Sequence, residues 1–549
     1  MSAVRPESSQ DAAPIRAPRT AVARGGVGVV VGLALAGAAW LLWRLLGFEY
    51  GLDQGIYGAV ADVMHAGGVP YRDAWDFKPP GIFFVYALAR SLFGEGMAAV
   101  RILEAGSMLS LGLAFALFSR RFTGLWAPGL LGAALAISGH VWLGFWHTAQ
   151  PESFGAVLIA WALVLATVPA GSDAAARRRR RLAWAGAGAL YALAALMKPP
   201  LGGGFLVSLG LVLRSEWRTA SPPSRMGVLV APTLAFGAGA LVPLLGVGAY
   251  LGLGGAIPDL VDALFVFTPE YTKLNYRTGN LMVFGFRAVE FLLFRFSLLN
   301  PLGLLLLFAL PPLSPREREG VGHVLGVLGF VLIGVALQGR FFAYHYGAAV
   351  PLLALLGGWG LFKLACLGER VGAGVGVLAL TIVLLANANG LKEPIPGGFL
   401  ERAGRLDDGS ASNREIRRAA AWVAEHTEPD DAIYVWGFQP MIYGLAGRRP
   451  ASRFVYNAPQ RAPWYRSHGR PALMAELAAD PPAAILVEAG DVHPGTAGSE
   501  LDSRTQLERF PRLQHFLREG YRPGETVGSF TIHLRKAPRA SPGPPSDRE

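Results

Sequence analysis

The sequence predicts a polytopic α-helical membrane protein, with about eleven transmembrane helices followed by a soluble α/β domain at the C-terminal end. Three observations predict it. Of the 549 residues, 52% are hydrophobic and 16% charged, with a mean hydropathy of +0.37, far more apolar than an ordinary soluble chain. Stretches long enough to cross about 30 Å of hydrocarbon recur from Val27 to Ala386 and then stop. The basic residues gather in short segments between those stretches, in the alternating pattern that the positive-inside rule describes.

The N-terminal tail, residues 1–26, carries Arg5, Arg16, Arg19 and Arg24 and is expected in the cytoplasm. The apolar run from Val27 to Leu46 is too long for a signal-peptide core and ends in Trp43-Arg44 without a small-residue cleavage site, so it reads as an uncleaved first helix. Further spans are expected near 98–118, 126–144, 152–169, 182–197, 200–213, 227–252, 284–311, 322–338, 347–365 and 371–388. The segment 284–311 fits one tilted helix or two shorter elements, and two would move the C-terminal region across the membrane. Arg120 and Arg121, the run Arg177 to Arg181, Arg214, Arg218, Arg225, Arg316, Arg318 and Arg370 fall in the loops assigned to the cytoplasm. The net charge of +11 is thereby accounted for without nucleic acid as a partner. Cys366 is the only cysteine, which excludes a disulfide framework and a thiolate metal cluster.

The membrane domain is thus expected over residues 27–388, with a first outward loop at 47–97, and an extracytoplasmic α/β domain over 389–536. In the latter, Ser412 to Glu415 fits a capping box that opens a helix with Ile416, Ala420 and Val423 on one face. Strands are expected at Ala432 to Trp436, Ala483 to Val487 and Phe530 to Leu534, with helix around Leu513 to Leu517. The tail 537–549, rich in Pro, Ser and charge, has the composition of a disordered segment.

The first outward loop is longer than a helix connection needs and mixes acids, a cation and aromatics at a membrane surface. It holds Tyr50-Gly51-Leu52-Asp53-Gln54-Gly55, and then runs from Gly67 through Asp76-Phe77-Lys78-Pro79-Pro80 to Gly81. Asp53 alone would pass for a solvated loop acid; set in this loop, within reach of a lipid head group, it reads as a site residue. Lys78-Pro79-Pro80 joins a cation to two fixed φ angles. A second Lys-Pro-Pro stands at Lys198-Pro199-Pro200, and a third outward cation is Arg340. Cations near the bilayer need a partner, and a phosphate or pyrophosphate is the natural one. Glu152, in Gln150-Pro151-Glu152, either caps a helix N-terminus or binds something. His140, His147 and His345 lack metal-ligand spacing and read as interfacial histidines.

These residues resemble a known group. The Asp53 loop, its Gly-x-Pro-Tyr-x-Asp-x-x-Asp-x-Lys-Pro-Pro-Gly run, the Gln-Pro-Glu at Gln150, Lys198-Pro199, Tyr344-His345-Tyr346 and the stretches Tyr434 to Gly437 and Gly447 to Phe454 are similar to the bacterial, protein O-mannosyltransferase-like branch of the GT-C superfamily, to which the lipid A aminoarabinose transferases are related. The resemblance implies a glycosyltransferase fold and transfer of a sugar from a polyprenyl-phosphate carrier to an acceptor at the outer face of the cytoplasmic (inner) membrane. The acceptor would be a protein, lipid A or a surface glycan. The family's catalytic acid matches Asp53. Many members carry a second acid beside it where this chain has Gln54, which leaves Glu152 or Asp76 for that part.

A polyprenyl-phosphate departs as a stable anion, so less acid catalysis is needed than in glycoside hydrolysis. One base, Asp53, with Lys78, Lys198 and Arg340 on the donor phosphate would suffice for an inverting transfer. No cofactor is required; a divalent metal held by Asp53 and Glu152 is compatible with the residues. The rival expectation is a transporter or flippase of a lipid-linked sugar, which shares the spans and cations but usually shows internal repeats and broken helices.

Overall fold

A computed structural model describes residues 15, 21–171, 173–221, 225–277, 279–371 and 413–536. Most of the last expected span, 371–388, Ser412 of the expected capping box, and the tail from 537 lie outside the described residues. The chain forms two compact units. The first comprises the N-terminal part to Gln54, Lys78–Ile257 and the part from Asn275; the second comprises Gly55–Phe77, Pro258–Leu274 and the C-terminal part.

The first unit is built of helices, the mark of a multi-pass membrane protein. By length and apolarity, five helices among the described residues suffice to cross a bilayer: Arg24–Leu45, Met97–Thr123, Met226–Leu253, Pro315–Gln338 and Ala349–Cys366. The expectation of about eleven is not reached on this measure. Ala127–Trp142 and Pro151–Ala166 have 16 residues each, about 24 Å of helix at about 1.5 Å per residue, against about 30 Å of hydrocarbon. The 284–311 run proves to be two helices, Leu281–Phe294 and Leu299–Ala309, bent by 93° at the break between them. Arg295 and Ser297 occupy that break, and Pro301 sits in the first turn of the second helix. An apolar helix that was not expected, Gly81–Phe93, fills the latter part of the first loop.

The core of this unit centres on the helix Ala349–Val371, where Leu352 to Leu356 are almost wholly buried. Trp359 donates its indole N–H to Ser119 at 2.6 Å, so the one polar atom of that ring is satisfied in an apolar setting. A Cβ on Gly360 would collide with the Gly303 carbonyl oxygen. The two helices therefore touch backbone to backbone, as small residues permit where dispersion rather than water drives helix association.

The second unit holds a five-stranded sheet in the order β2-β1-β3-β5-β4, with β1 Ala432–Trp436, β2 Arg449–Pro450, β3 Ala484–Glu488, β4 Tyr521–Val527 and β5 Phe530–Arg535. β2, β1 and β3 run parallel, whereas β3, β5 and β4 pair antiparallel. Every residue of β1 and β3 is buried, as expected of parallel strands covered on both faces. The helix Asn413–His426 lays Ile416, Ala419, Ala420 and Val423 inward. Gly55–Phe77 and Pro258–Leu274 pack within this unit. Trp75 donates its backbone N–H to the Arg453 carbonyl at 2.7 Å, its ring lies 4.9 Å from that of Phe267, and Arg453 pairs with Asp259 at 2.8 Å.

Candidate functional site

Asp53 lies in the first turn of the helix Leu52–His65, where the helix dipole favours a negative charge. Lys78 Nζ stands 3.9 Å from Asp53 Oδ1, and each side chain keeps about a fifth of its surface exposed (20% and 22%). Pro79 and Pro80 lead from Lys78 straight into Gly81–Phe93, with Pro80 as its cap residue. A Cβ on Gly81 would lie 2.7 Å from the Leu196 carbonyl carbon and oxygen. The first Lys-Pro-Pro is thereby pressed against the backbone that leads into the second.

Lys198 ends the helix Ala174–Met197, and Pro199–Gly203 continues as a short 3₁₀ turn. Its ammonium is bonded to Glu152 Oε1 and faces the ring of Tyr344 at 5.8 Å. Glu152 is 1% exposed, and its Oε2 has no hydrogen-bond partner among the described residues. It sits in the first turn of the helix Pro151–Ala166, but the capping box there is made by Gln150 and Ser153. The alternative of Glu152 as a cap is thus filled by a neighbour. Burial lowers the Lys198 ammonium below the ordinary lysine range, with Glu152 and Asp53 pulling the other way and Lys78 adding to the fall.

Arg340 donates from Nε to Asn275 Oδ1 at 2.6 Å, and its carbonyl lies 2.8 Å from His345 Nδ1. Burial holds His345 well below the usual histidine range, with Lys198 and Lys78 adding to the fall and the hydrogen bond to the Arg340 carbonyl pulling the other way. His147 is likewise lowered by burial against the pull of Asp53, and its ring is 5.7 Å from Tyr344. Both imidazoles are neutral near pH 7. The electrostatic group is therefore two carboxylates and three basic side chains, with each lysine set beside one carboxylate.

Asp76 belongs to the second unit, where it is 1% exposed and accepts a hydrogen bond from Tyr456. Asp53 and Glu152, the two residues expected to hold a divalent metal if one is used, each face a lysine ammonium. No group of three or more His, Cys, Asp or Glu able to hold a metal occurs among the described residues.

Gln54 has a defined task. Fully buried, its amide donates to the carbonyls of Phe145 at 2.9 Å, Trp146 at 3.0 Å and Thr148 at 2.7 Å, while its oxygen accepts from Gly51 N at 3.0 Å. A carboxylate there would face three carbonyl oxygens with no proton to share. Sequence reasoning also passed over Arg101 and Glu104, a buried ion pair of 2.8 Å in the helix Met97–Thr123. The available signal was two opposite charges three residues apart inside an apolar span.

No protein-family profile matches the chain, and no curated protein sequence matches it. Among solved structures, ArnT from Cupriavidus metallidurans bound to undecaprenyl phosphate is similar over 94% of this chain and 99% of that one, at 16% identity and a TM-score of 0.52. The apo state of the same protein gives 95% and 100%, 16% and 0.53. The Archaeoglobus fulgidus oligosaccharyltransferase AglB, in complex with an inhibitory peptide and a dolichol-phosphate, covers 94% of this chain and 75% of that one at 13% identity and a TM-score of 0.45. The likeness to ArnT establishes the fold that the sequence resemblance implied.

Proposed function

We propose that this chain is a membrane glycosyltransferase that moves a sugar from a polyprenyl-phosphate carrier to an acceptor hydroxyl at the outer face of the cytoplasmic membrane. The observation that carries the reading is the pair of lysine–carboxylate contacts, Lys78 with Asp53 and Lys198 with Glu152, on a chain with the ArnT fold. ArnT was solved with undecaprenyl phosphate bound, which supports a ligand of that class here. This reading counts the bent pair Leu281–Phe294 and Leu299–Ala309 as one broken span, which keeps the C-terminal α/β domain on the same outer side.

Without ligand, each carboxylate neutralises a lysine. A phosphate arriving between them offers the ammonium groups a stronger, charge-assisted partner and loosens their hold on Asp53 and Glu152. Lys78, Lys198 and Arg340 then bear on the phosphate oxygens, where charge grows as the carrier leaves. Asp53 takes the proton from the acceptor hydroxyl as its oxygen bonds the anomeric carbon. The bond from that carbon to the phosphate oxygen breaks, its electron pair leaves with the polyprenyl phosphate, and the anomeric centre inverts. Glu152, with one oxygen unpartnered among the described residues, is the second carboxylate, placed to accept a hydrogen bond from a substrate hydroxyl.

The 93° break between Leu281–Phe294 and Leu299–Ala309 favours a second reading, a flippase of a lipid-linked sugar, since broken helices are a transporter trait. Asp53→Asn separates the two. In a deletion strain complemented with this variant, mass spectrometry of envelope glycoconjugates is expected to show the same missing sugar as the deletion, with expression and membrane insertion intact. Near-normal product would remove Asp53 from its role and leave the flippase reading.

A further inference from the structure

The helix Met97–Thr123 buries Arg101 and Glu104 with no exposed side-chain surface on either. Such a pair adds little net stability over apolar residues of similar volume, so its presence in a membrane helix calls for another reason. Its contacts supply one. The Arg101 guanidinium donates to the carbonyls of Phe48 at 3.2 Å and Glu49 at 2.6 Å. It also donates to the Phe145 carbonyl at 3.1 Å and to Thr148 Oγ1 at 2.9 Å. Glu104 accepts the Ala149 backbone N–H and lies 2.9 Å from His140 Nε2. One ion pair therefore grips two stretches of backbone. The first leads directly to Asp53, and the second, through Gln150 and Pro151, to Glu152.

Two further details point the same way. Ala149 has a φ of +53°, a left-handed conformation that a non-glycine residue holds only where its surroundings fix it. Here Glu104 holds its N–H, and the Tyr86 hydroxyl holds its carbonyl at 3.0 Å. Gln54, next to Asp53 in sequence, crosses to the carbonyls of Phe145, Trp146 and Thr148, so it ties the same two stretches from the other side.

We propose that Arg101 and Glu104, with Gln54 as a third tie, are positioning residues of the transfer reaction, fixing the Asp53 carboxylate relative to that of Glu152. The proposal rests on the glycosyltransferase reading. Removing both charges together avoids stranding one of them, so the informative variants of the full chain are the double substitution Arg101→Gln/Glu104→Gln and, separately, Gln54→Ala. Turnover is read by mass spectrometry as product formed from the donor pool of native membranes, across a range of pH. Thermal unfolding and binding of undecaprenyl phosphate accompany it. The expected result is a fall in turnover of about 10–100-fold from misplaced reacting groups, near-normal unfolding and undecaprenyl phosphate binding, and a displaced acidic limb of the pH profile. Turnover that stays normal, or that falls only in proportion to folded protein with an unchanged pH profile, overturns the proposal while Asp53→Asn remains inactive. An active Asp53→Asn overturns the transfer reading itself, and the proposal with it.

Discussion

The Tyr456 hydroxyl donates a 2.8 Å hydrogen bond to Asp76 Oδ1, joining residues 380 positions apart within the second unit. A buried carboxylate held in this way has a structural use as well as a chemical one, and an amide distinguishes them. Asparagine keeps the oxygen that accepts from Tyr456 but cannot take a proton. Asp76→Asn is therefore expected to retain turnover and thermal stability, whereas loss of turnover in a folded protein would return Asp76 to the reacting groups.

Lys78 is the cation nearest Asp53, and its removal should weaken donor binding. A hydrogen bond to a charged group contributes about 1.5–3 kcal/mol, equivalent to about 10–150-fold in affinity. Lys78→Gln is expected to weaken undecaprenyl phosphate binding within that range, as titrated in detergent micelles. Unchanged affinity would mean that the phosphate lies elsewhere.

The depressed Lys198 ammonium sets an alkaline limit. A lysine with a lowered pKa is charged at low pH and loses its proton earlier than an ordinary lysine as pH rises. Undecaprenyl phosphate binding should therefore weaken on the alkaline side before the ordinary lysine value of about 10.4 is reached. Lys198→Arg, which stays protonated, should bind evenly across that range. Matching alkaline profiles for the two proteins would contradict the assignment.

Arg453 fastens Pro258–Leu274 to the rest of the second unit through Asp259, while its backbone holds Trp75 and its guanidinium also pairs with Glu476 at 2.9 Å. Arg453→Ala should weaken this attachment by about 1–3 kcal/mol and expose the segment to limited proteolysis between Pro258 and Leu274. An unchanged cleavage pattern would show that the aromatic contacts of Trp75 suffice.

Much of this architecture is legible in the residues. Ala432–Trp436 reads as a strand because an apolar run follows an Asp-Asp turn, and Phe530–Arg535 for similar reasons. Tyr521–Val527 is missed because Pro523, Gly524 and two charges, Arg522 and Glu525, disguise it, a composition tolerated only where a strand lies at the sheet edge. The break at Arg295 is blurred because a hydropathy window averages a few polar residues into the apolar helices on either side. Within the site, Asp53, Lys78 and Lys198 stand out in the sequence as charges in loops expected on the side poor in cations. Arg101 and Glu104 do not, since their importance lies in which carbonyls they reach, and those are supplied by segments distant in sequence.

The clearance at Gly81, too small for a methyl group against Leu196, makes a single mechanical yoke of the two Lys-Pro-Pro segments. A displacement of the chain at Lys78 is handed to the end of the helix that carries Lys198, instead of being absorbed by slack between them. The repeated motif is thus not redundancy, in which one copy could drift while the other served. It resembles a pair of jaws cast in one piece, in which the gap between the lysines is set by a single backbone contact.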